Sequence, residues 1–133
     1  MTVAIVTGAS GFLGQALSAR LSMQFRVIGI DVNPAPSSAA WEHWTLDITD
    51  SNHLKDSVQP IADDVGLIVH AAMPQIMQPI GGSDDAAWLQ SFSVSVLALN
   101  NLVGACLEGL RRNSPHGVVA LGSIHQAVTS RSM

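Results

Sequence analysis

Three glycines, Gly8, Gly11 and Gly14, recur every third residue directly behind the apolar run Val3-Ala4-Ile5-Val6. No other stretch restricts the fold as tightly. The β-branched run suits a strand buried on both faces. Phe12, Leu13, Ala16, Leu17, Ala19 and Leu21 follow with helical spacing. A strand, a glycine turn and a helix make up the phosphate-binding corner of dinucleotide-binding folds. Gly8 permits the tight turn, Gly11 lets the backbone approach a pyrophosphate, and Gly14 lets the helix pack against the strand. The opening amides of the helix have no partner within it and lie at its positive end, which suits phosphate. Glycines at this spacing also occur where only turn geometry is needed, so the flanking elements decide.

The flanks agree. Arg26 to Ile30 reads as a second strand, and Asp31 ends it, 17 residues beyond Gly14 and 23 beyond Gly8. An acid at this place meets the adenosine ribose hydroxyls of NAD. The carboxylate accepts two hydroxyl hydrogen bonds and repels the 2′-phosphate of NADP, and no arginine follows directly to offset it. NAD is therefore expected over NADP. The plain alternative is a solvated acid at a strand end.

Asn33 to Ala40 is a loop rich in proline and serine, with a weak helical segment around residues 35–40. Trp41 to Leu46 reads as a third strand ended by Asp47. Asp47 and Ile48 fall where an adenine ring would lie. Asp47 equally suits the cap of a helix over Thr49 to Val58, and the two readings stand side by side. Gly66 to His70 is a strongly apolar fourth strand. Ala71, Ala72 and Met73 follow, small enough at first to let a cofactor cross the sheet edge or simply to pack closely. His70 suits a structural histidine better than a base. Pro74 to Ser83 has no period and reads as a loop able to cover a site. Asp84 to about Arg112 reads as one long helix, its apolar residues three and four apart, with acids at its start and arginines at its end. Asn113, Ser114 and Pro115 stop it. Gly117 to Leu121 is a fifth strand, ended by Gly122 and Ser123, and Ile124 to Met133 has no clear period. The alternation predicts an α/β Rossmann-type doubly wound parallel sheet with strand order 3-2-1-4-5, cut off after the fifth strand.

Composition closes off other classes. The chain is 47% hydrophobic and 12% charged, which fits one domain with a real core and argues against disorder. A net charge of −4 gives no basic nucleic-acid footprint. No apolar run is expected to span a membrane, no signal peptide is read at the N-terminus, and no metal-ligand cluster is evident. Cys106 alone excludes an internal disulfide and reads as a core residue of a cytoplasmic protein.

Taken together, Thr7 to Gly14, Asp31, Asp47-Ile48, His70-Ala71-Ala72 and Val118 to Ser123 resemble the short-chain dehydrogenase/reductase superfamily. The first and fourth pieces look most like its extended branch of NAD-dependent epimerases, dehydratases and reductases, while Gly122-Ser123-Ile124-His125 also suits the classical branch. The resemblance implies hydride transfer between a nicotinamide and a carbon bearing oxygen. It assigns cofactor binding to Gly8, Ser10, Gly11, Phe12, Leu13, Gly14, Asp31, Asp47, Ile48, His70, Ala71 and Ala72, and the catalytic serine to Ser123. That serine would hydrogen-bond the substrate oxygen as charge builds there. The family's helix asparagine falls at Ser95, with Asn100 and Asn101 close by. The sequence departs from the family in its proton-transfer pair. It holds no tyrosine, and its one lysine, Lys55, lies upstream of Ser123. Family members carry Tyr-x-x-x-Lys downstream of the serine, and this chain runs ten residues beyond it.

The expectation is an NAD-dependent oxidoreductase, or an epimerase or dehydratase relative, whose catalytic and substrate-binding half is missing. Residues 1–133 alone are expected not to catalyse hydride transfer. The alternatives are a non-catalytic NAD-binding or regulatory module, and a partner protein that kept the fold without the cofactor. A homodimer through the helix from Asp84 is expected as the family's habit, with a small-molecule substrate and neither nucleic acid nor membrane as partner.

Overall fold

The computed structural model describes residues 1–74, 82 and 84–123. Most of the Pro74 to Ser83 loop and all of Ile124 to Met133 lie outside the described residues. Five parallel strands form one sheet: β1 (Val3–Thr7), β2 (Arg26–Asp31), β3 (Glu42–Thr45), β4 (Val65–His70) and β5 (Gly117–Ala120). Their order is β3-β2-β1-β4-β5, as the alternation predicts. Between them come α1 (Phe12–Leu21), α2 (Ser51–Val58) with a 3-10 extension to Asp64, and the helical rod α3 (Asp85–Phe92), α4 (Ala98–Ala105) and α5 (Leu107–Arg112).

The alternating side chains of the central strands supply two cores. Ile5 pairs in register with Ile28 on one side and Ile68 on the other, and all three are fully buried. This row packs with Leu54 and Val58 of α2 and Leu102 of α4. The opposite face carries Ala4, Val6, Val27 and Val69, covered by Leu17 and Leu21 of α1. Burying β1 on both faces is what its unbroken apolar run dictates.

Helix α1 differs from its expected face. Phe12 is 90% exposed and Leu13 56% exposed, while the buried positions are Gly14 and Ser18. Small residues, rather than the bulkier apolar ones, form the inner stripe with Leu17 and Leu21, because the helix lies close to the turn that precedes it. The weak helix around residues 35–40 is absent. Pro34 and Pro36 disfavour the helical region for the residues before them, and only a turn at Ser37-Ser38 forms.

The long helix is interrupted. Ser93–Leu97 is a π turn, marked by the Ala98 amide donating to the Ser93 carbonyl. Cys106 lies at a second break between α4 and α5. By length and composition alone, Asp85–Ala105 is long and apolar enough to cross a membrane, contrary to expectation, because beyond Asp85 it carries no charge and is polar only through serines, amides and the Trp88 indole. In this fold it packs on the sheet through Ala98 and Leu102. Strand β5 also departs from a buried strand. Val118 and Val119 are nearly half exposed at the sheet edge.

Cys106 is a core residue, as expected. Burial pushes its thiol up to about 11, so it is uncharged at neutral pH.

Candidate functional site

The turn after β1 is built on Gly8, the one residue with positive φ, +72°, among those described. Its amide donates to the Ile30 carbonyl at 2.8 Å, and the Gly11 amide returns to the Gly8 carbonyl at 3.0 Å. The turn is therefore tied to the end of β2 and closed on itself. Gly14 packs onto this turn so closely that a Cβ would overlap the Gly8 carbonyl oxygen. Gln15 is the first intrahelical donor, to Gly11 O at 2.9 Å. The amides of Phe12 and Leu13 precede it and open the helix, where a phosphate is accepted.

Asp31 stands beside this corner. Its Oδ2 accepts from the Ser10 amide at 2.9 Å, and its Oδ1 accepts from the Asn33 amide at 2.9 Å and from Asn33 Nδ2 at 3.2 Å. Both oxygens are oriented by neutral donors, with no guanidinium or ammonium among these partners. The Ser10 hydroxyl donates to the Pro34 carbonyl at 2.9 Å, and the His43 ring nitrogen Nε2 lies 3.0 Å from the Asn33 carbonyl. The start of the Asn33 to Ala40 loop is thus held against the glycine turn.

Gly8, Ser10, Gly11, Asp31, Asp47, Ile48, Ala71 and Ala72 all line one cleft of about 480 Å³. Eight of the cofactor candidates therefore converge from four strand ends, at the carboxyl edge of the sheet where open α/β folds bind ligands. Asp47 is no helix cap. Its Oδ1 accepts from the Thr49 amide and hydroxyl at 2.9 and 2.7 Å, while Asp50 caps α2 by accepting from the His53 amide at 3.0 Å. Asp47 has closed its own turn, which leaves the cap to the acid three residues on.

Four cofactor candidates lie elsewhere. The Phe12 and Leu13 side chains point into solvent, and Gly14 supports the turn from behind. His70 is 5% exposed. Thr7 Oγ1 lies 2.8 Å from its Nδ1, and the Val94 carbonyl lies 3.0 Å from its Nε2. Because the carbonyl only accepts, Nε2 carries the proton and Nδ1 accepts from Thr7. This is the structural role that suits His70 better than that of a base. Ser123 follows β5 on the exposed edge, two residues after the Leu121 amide donates to the His70 carbonyl.

Gln90 and Val94 also line the cleft, and sequence reasoning missed both. No local signal marks them. They reach the cleft only because the helical rod crosses the end of β4.

Burial pushes the His70 imidazole below its usual 6.5, and the Val94 carbonyl pushes partly back. The folded protein therefore takes up this proton at lower pH than the unfolded chain. Below 6.5 the unfolded chain binds the proton first, so stability is lost as pH falls from 6.5 through the folded value. Urea midpoints at pH 7.5 and 5.5 are expected to show the loss, and His70→Gln to shrink it. An equal drop in that variant would assign the loss to other groups.

Among the described residues no group of three or more potential metal ligands occurs. The model of the short chain dehydrogenase family matches residues 2–133. No curated protein matches the chain. Ligand-free aldohexose dehydrogenase from Thermoplasma acidophilum is 21% identical, with a TM-score of 0.86 over 98% of this chain and 52% of that one. A short chain dehydrogenase from Leptospira borgpetersenii, solved with bound NAD+, is 17% identical, with a TM-score of 0.80 over 98% and 55%. An oxidoreductase of the short chain dehydrogenase/reductase family from Burkholderia thailandensis is 25% identical, with a TM-score of 0.80 over 97% and 54%. The chain thus spans about half the length of these solved relatives. The structural likeness establishes the fold, and the match over residues 2–133 goes further: this chain belongs to the short chain dehydrogenase family.

Proposed function

We propose that the chain is the nucleotide-binding part of an NAD-dependent oxidoreductase acting on a small molecule that carries a carbonyl or an alcohol. The observation that carries this reading is Asp31, with both carboxylate oxygens held at the mouth of the cleft beside the Gly8 turn. The ribose hydroxyls of NAD would donate to Asp31, and the pyrophosphate would rest on the amides that open α1. The cradle fits, since a Cβ at Gly8 would lie within 3 Å of the Ala71-Ala72 backbone that floors the cleft. A nicotinamide bound there supplies or accepts the hydride. Ser123 would donate a hydrogen bond to the substrate oxygen as it gains charge. The match to the short chain dehydrogenase family supports this reading over the epimerase or dehydratase branch.

NAD is preferred over NADP because a 2′-phosphate would meet the Asp31 carboxylate, and its three donors, the Ser10 and Asn33 amides and Asn33 Nδ2, are all neutral. NADH and NADPH titrations by fluorescence test this. NADH is expected to bind at least tenfold tighter, a difference of about 1.4 kcal/mol. Asp31→Ala is expected to weaken NADH and narrow the ratio. A ratio unchanged in the variant would remove Asp31 from the ribose.

A second reading is favoured by the composition: a module that binds NAD without chemistry. The chain has no tyrosine to exchange the proton. Binding without turnover by residues 1–133, and turnover once a Tyr-x-x-x-Lys segment is supplied, separates the oxidoreductase from the module. We also propose that two copies pair through the helical rod from Asp84, where Trp88, Leu89 and Phe92 are more than half exposed.

A further inference from the structure

The helical rod reaches the cleft through Gln90 of α3 and Val94 of its π turn, and one buried side chain, His70, meets the rod at Val94. The Ala72 amide donates to Thr7 Oγ1 at 3.4 Å, the Thr7 hydroxyl donates to His70 Nδ1 at 2.8 Å, and His70 Nε2 donates to the Val94 carbonyl at 3.0 Å. This relay runs from the floor of the cleft, across the ends of β1 and β4, to the rod. Thr7 is 1% exposed and His70 5%, so water does not compete for either group.

The relay is directional. The Val94 carbonyl has no proton to give, so the imidazole has one usable tautomer, and Thr7 must then donate rather than accept at Nδ1. A π turn is a local widening of the helical ladder, and such turns gather at functional sites. Here the turn spans Ser93–Leu97, and Val94 within it accepts from His70 and lines the cleft; Gln90, one helical step earlier, lines the cleft as well.

We propose that His70 is a positioning residue for the nucleotide cleft: by holding the Val94 carbonyl it fixes where the π turn stands, and with it the Gln90 and Val94 wall. The inference rests on the cleft being the nicotinamide nucleotide site. His70 itself does not line the cleft.

Gln and Asn separate this role from simple core packing. The amide of Gln at position 70 reaches about as far as imidazole Nε2 and retains a donor for Val94. Asn reaches only as far as Nδ1 and keeps a partner for Thr7 alone. Both lose the aromatic ring and are expected to lower stability. NADH affinity is expected to stay within about twofold of wild type in His70→Gln and to fall about tenfold in His70→Asn, the order of one buried hydrogen bond. Nitrogen-15 NMR of the histidine rings in the unliganded protein is expected to show His70 with its proton on Nε2 at neutral pH. A proton on Nδ1 overturns the proposal without any variant, so the test stands even if His70→Asn does not fold. Equal affinity in both variants also overturns it and leaves the nucleotide site intact, as retained sensitivity to Asp31→Ala would show. Failure of the folded wild type to bind NADH or NADPH, with the tautomer as expected, overturns the nucleotide site and this role with it.

Discussion

Gly14→Val is expected to weaken NADH binding severely and to destabilise the fold. A Cβ at position 14 would overlap the Gly8 carbonyl oxygen and lie 2.7 Å from the Gly8 carbonyl carbon and 2.9 Å from Ala9 Cα. These are backbone atoms with no rotamer to change. The Gly8 carbonyl also accepts from Gly11, and the Gly8 amide is tied to Ile30. The turn cannot retreat without breaking its link to β2. Helix α1 must therefore move outward, carrying the amides of Phe12 and Leu13 away from the position where phosphates would rest. Forcing volume into a packed site costs about 1–3 kcal/mol, and a branched side chain belongs at the upper end. NADH affinity is expected to fall on the order of 100-fold, because two amides and the helix end lose their aim together, each such interaction being worth about 1.5–3 kcal/mol. Titration and urea unfolding read the two effects separately. Gly104→Ala is the comparator. Nothing lies within 4 Å of its Cβ position on α4, so that variant is expected to gain about 0.5–1 kcal/mol and bind normally. Equal behaviour of the two variants would refute the close-approach account.

The contrast between Gly14 and Phe12 shows what the sequence carries about this site. The glycine spacing, the strand before it and the acid after the second strand are local signals, each fixed by backbone geometry, and the structure brings them to one cleft. The sheet order follows from the alternation of elements. What was not legible depends on distant packing. Helical periodicity marks Phe12 and Leu13 as apolar but not the direction they face, and the close approach of α1 turns the smaller Gly14 and Ser18 inward. Asp47 and Asp50 are equally good caps by type, and only the turn that Asp47 makes with Thr49 decides between them. Gln90 and Val94 lie far along the chain from the glycine corner and reach its cleft on a helical rod whose π turn no local pattern announces.

Ile5→Ala is expected to remove a large share of the stability and, with it, the site. Ile5 is 0% exposed on the central strand and stands between Ile28 and Ile68 in register. Its face of the sheet is covered by α2 and the helical rod through Leu54, Val58 and Leu102. The side chain is enclosed by strand neighbours laterally and by helices above, so the structure closes over the lost atoms only in part. Truncation of this kind costs about 2–5 kcal/mol, and the enclosure places Ile5 in the upper half of that range. Total stabilities of about 5–15 kcal/mol make this roughly a quarter or more of what holds the chain folded. The same strand ends at Thr7 and Gly8, so the glycine turn and the Thr7 hydroxyl that orients His70 are aligned by the packing of Ile5. Val118→Ala on the half-exposed edge strand β5 removes less buried surface and is expected to cost below 1 kcal/mol, as large losses need burial. Urea unfolding of both variants, with NADH titrated below each transition, tests the ordering. A smaller loss for Ile5→Ala than for Val118→Ala would mean that the row of three isoleucines is not the centre of the core.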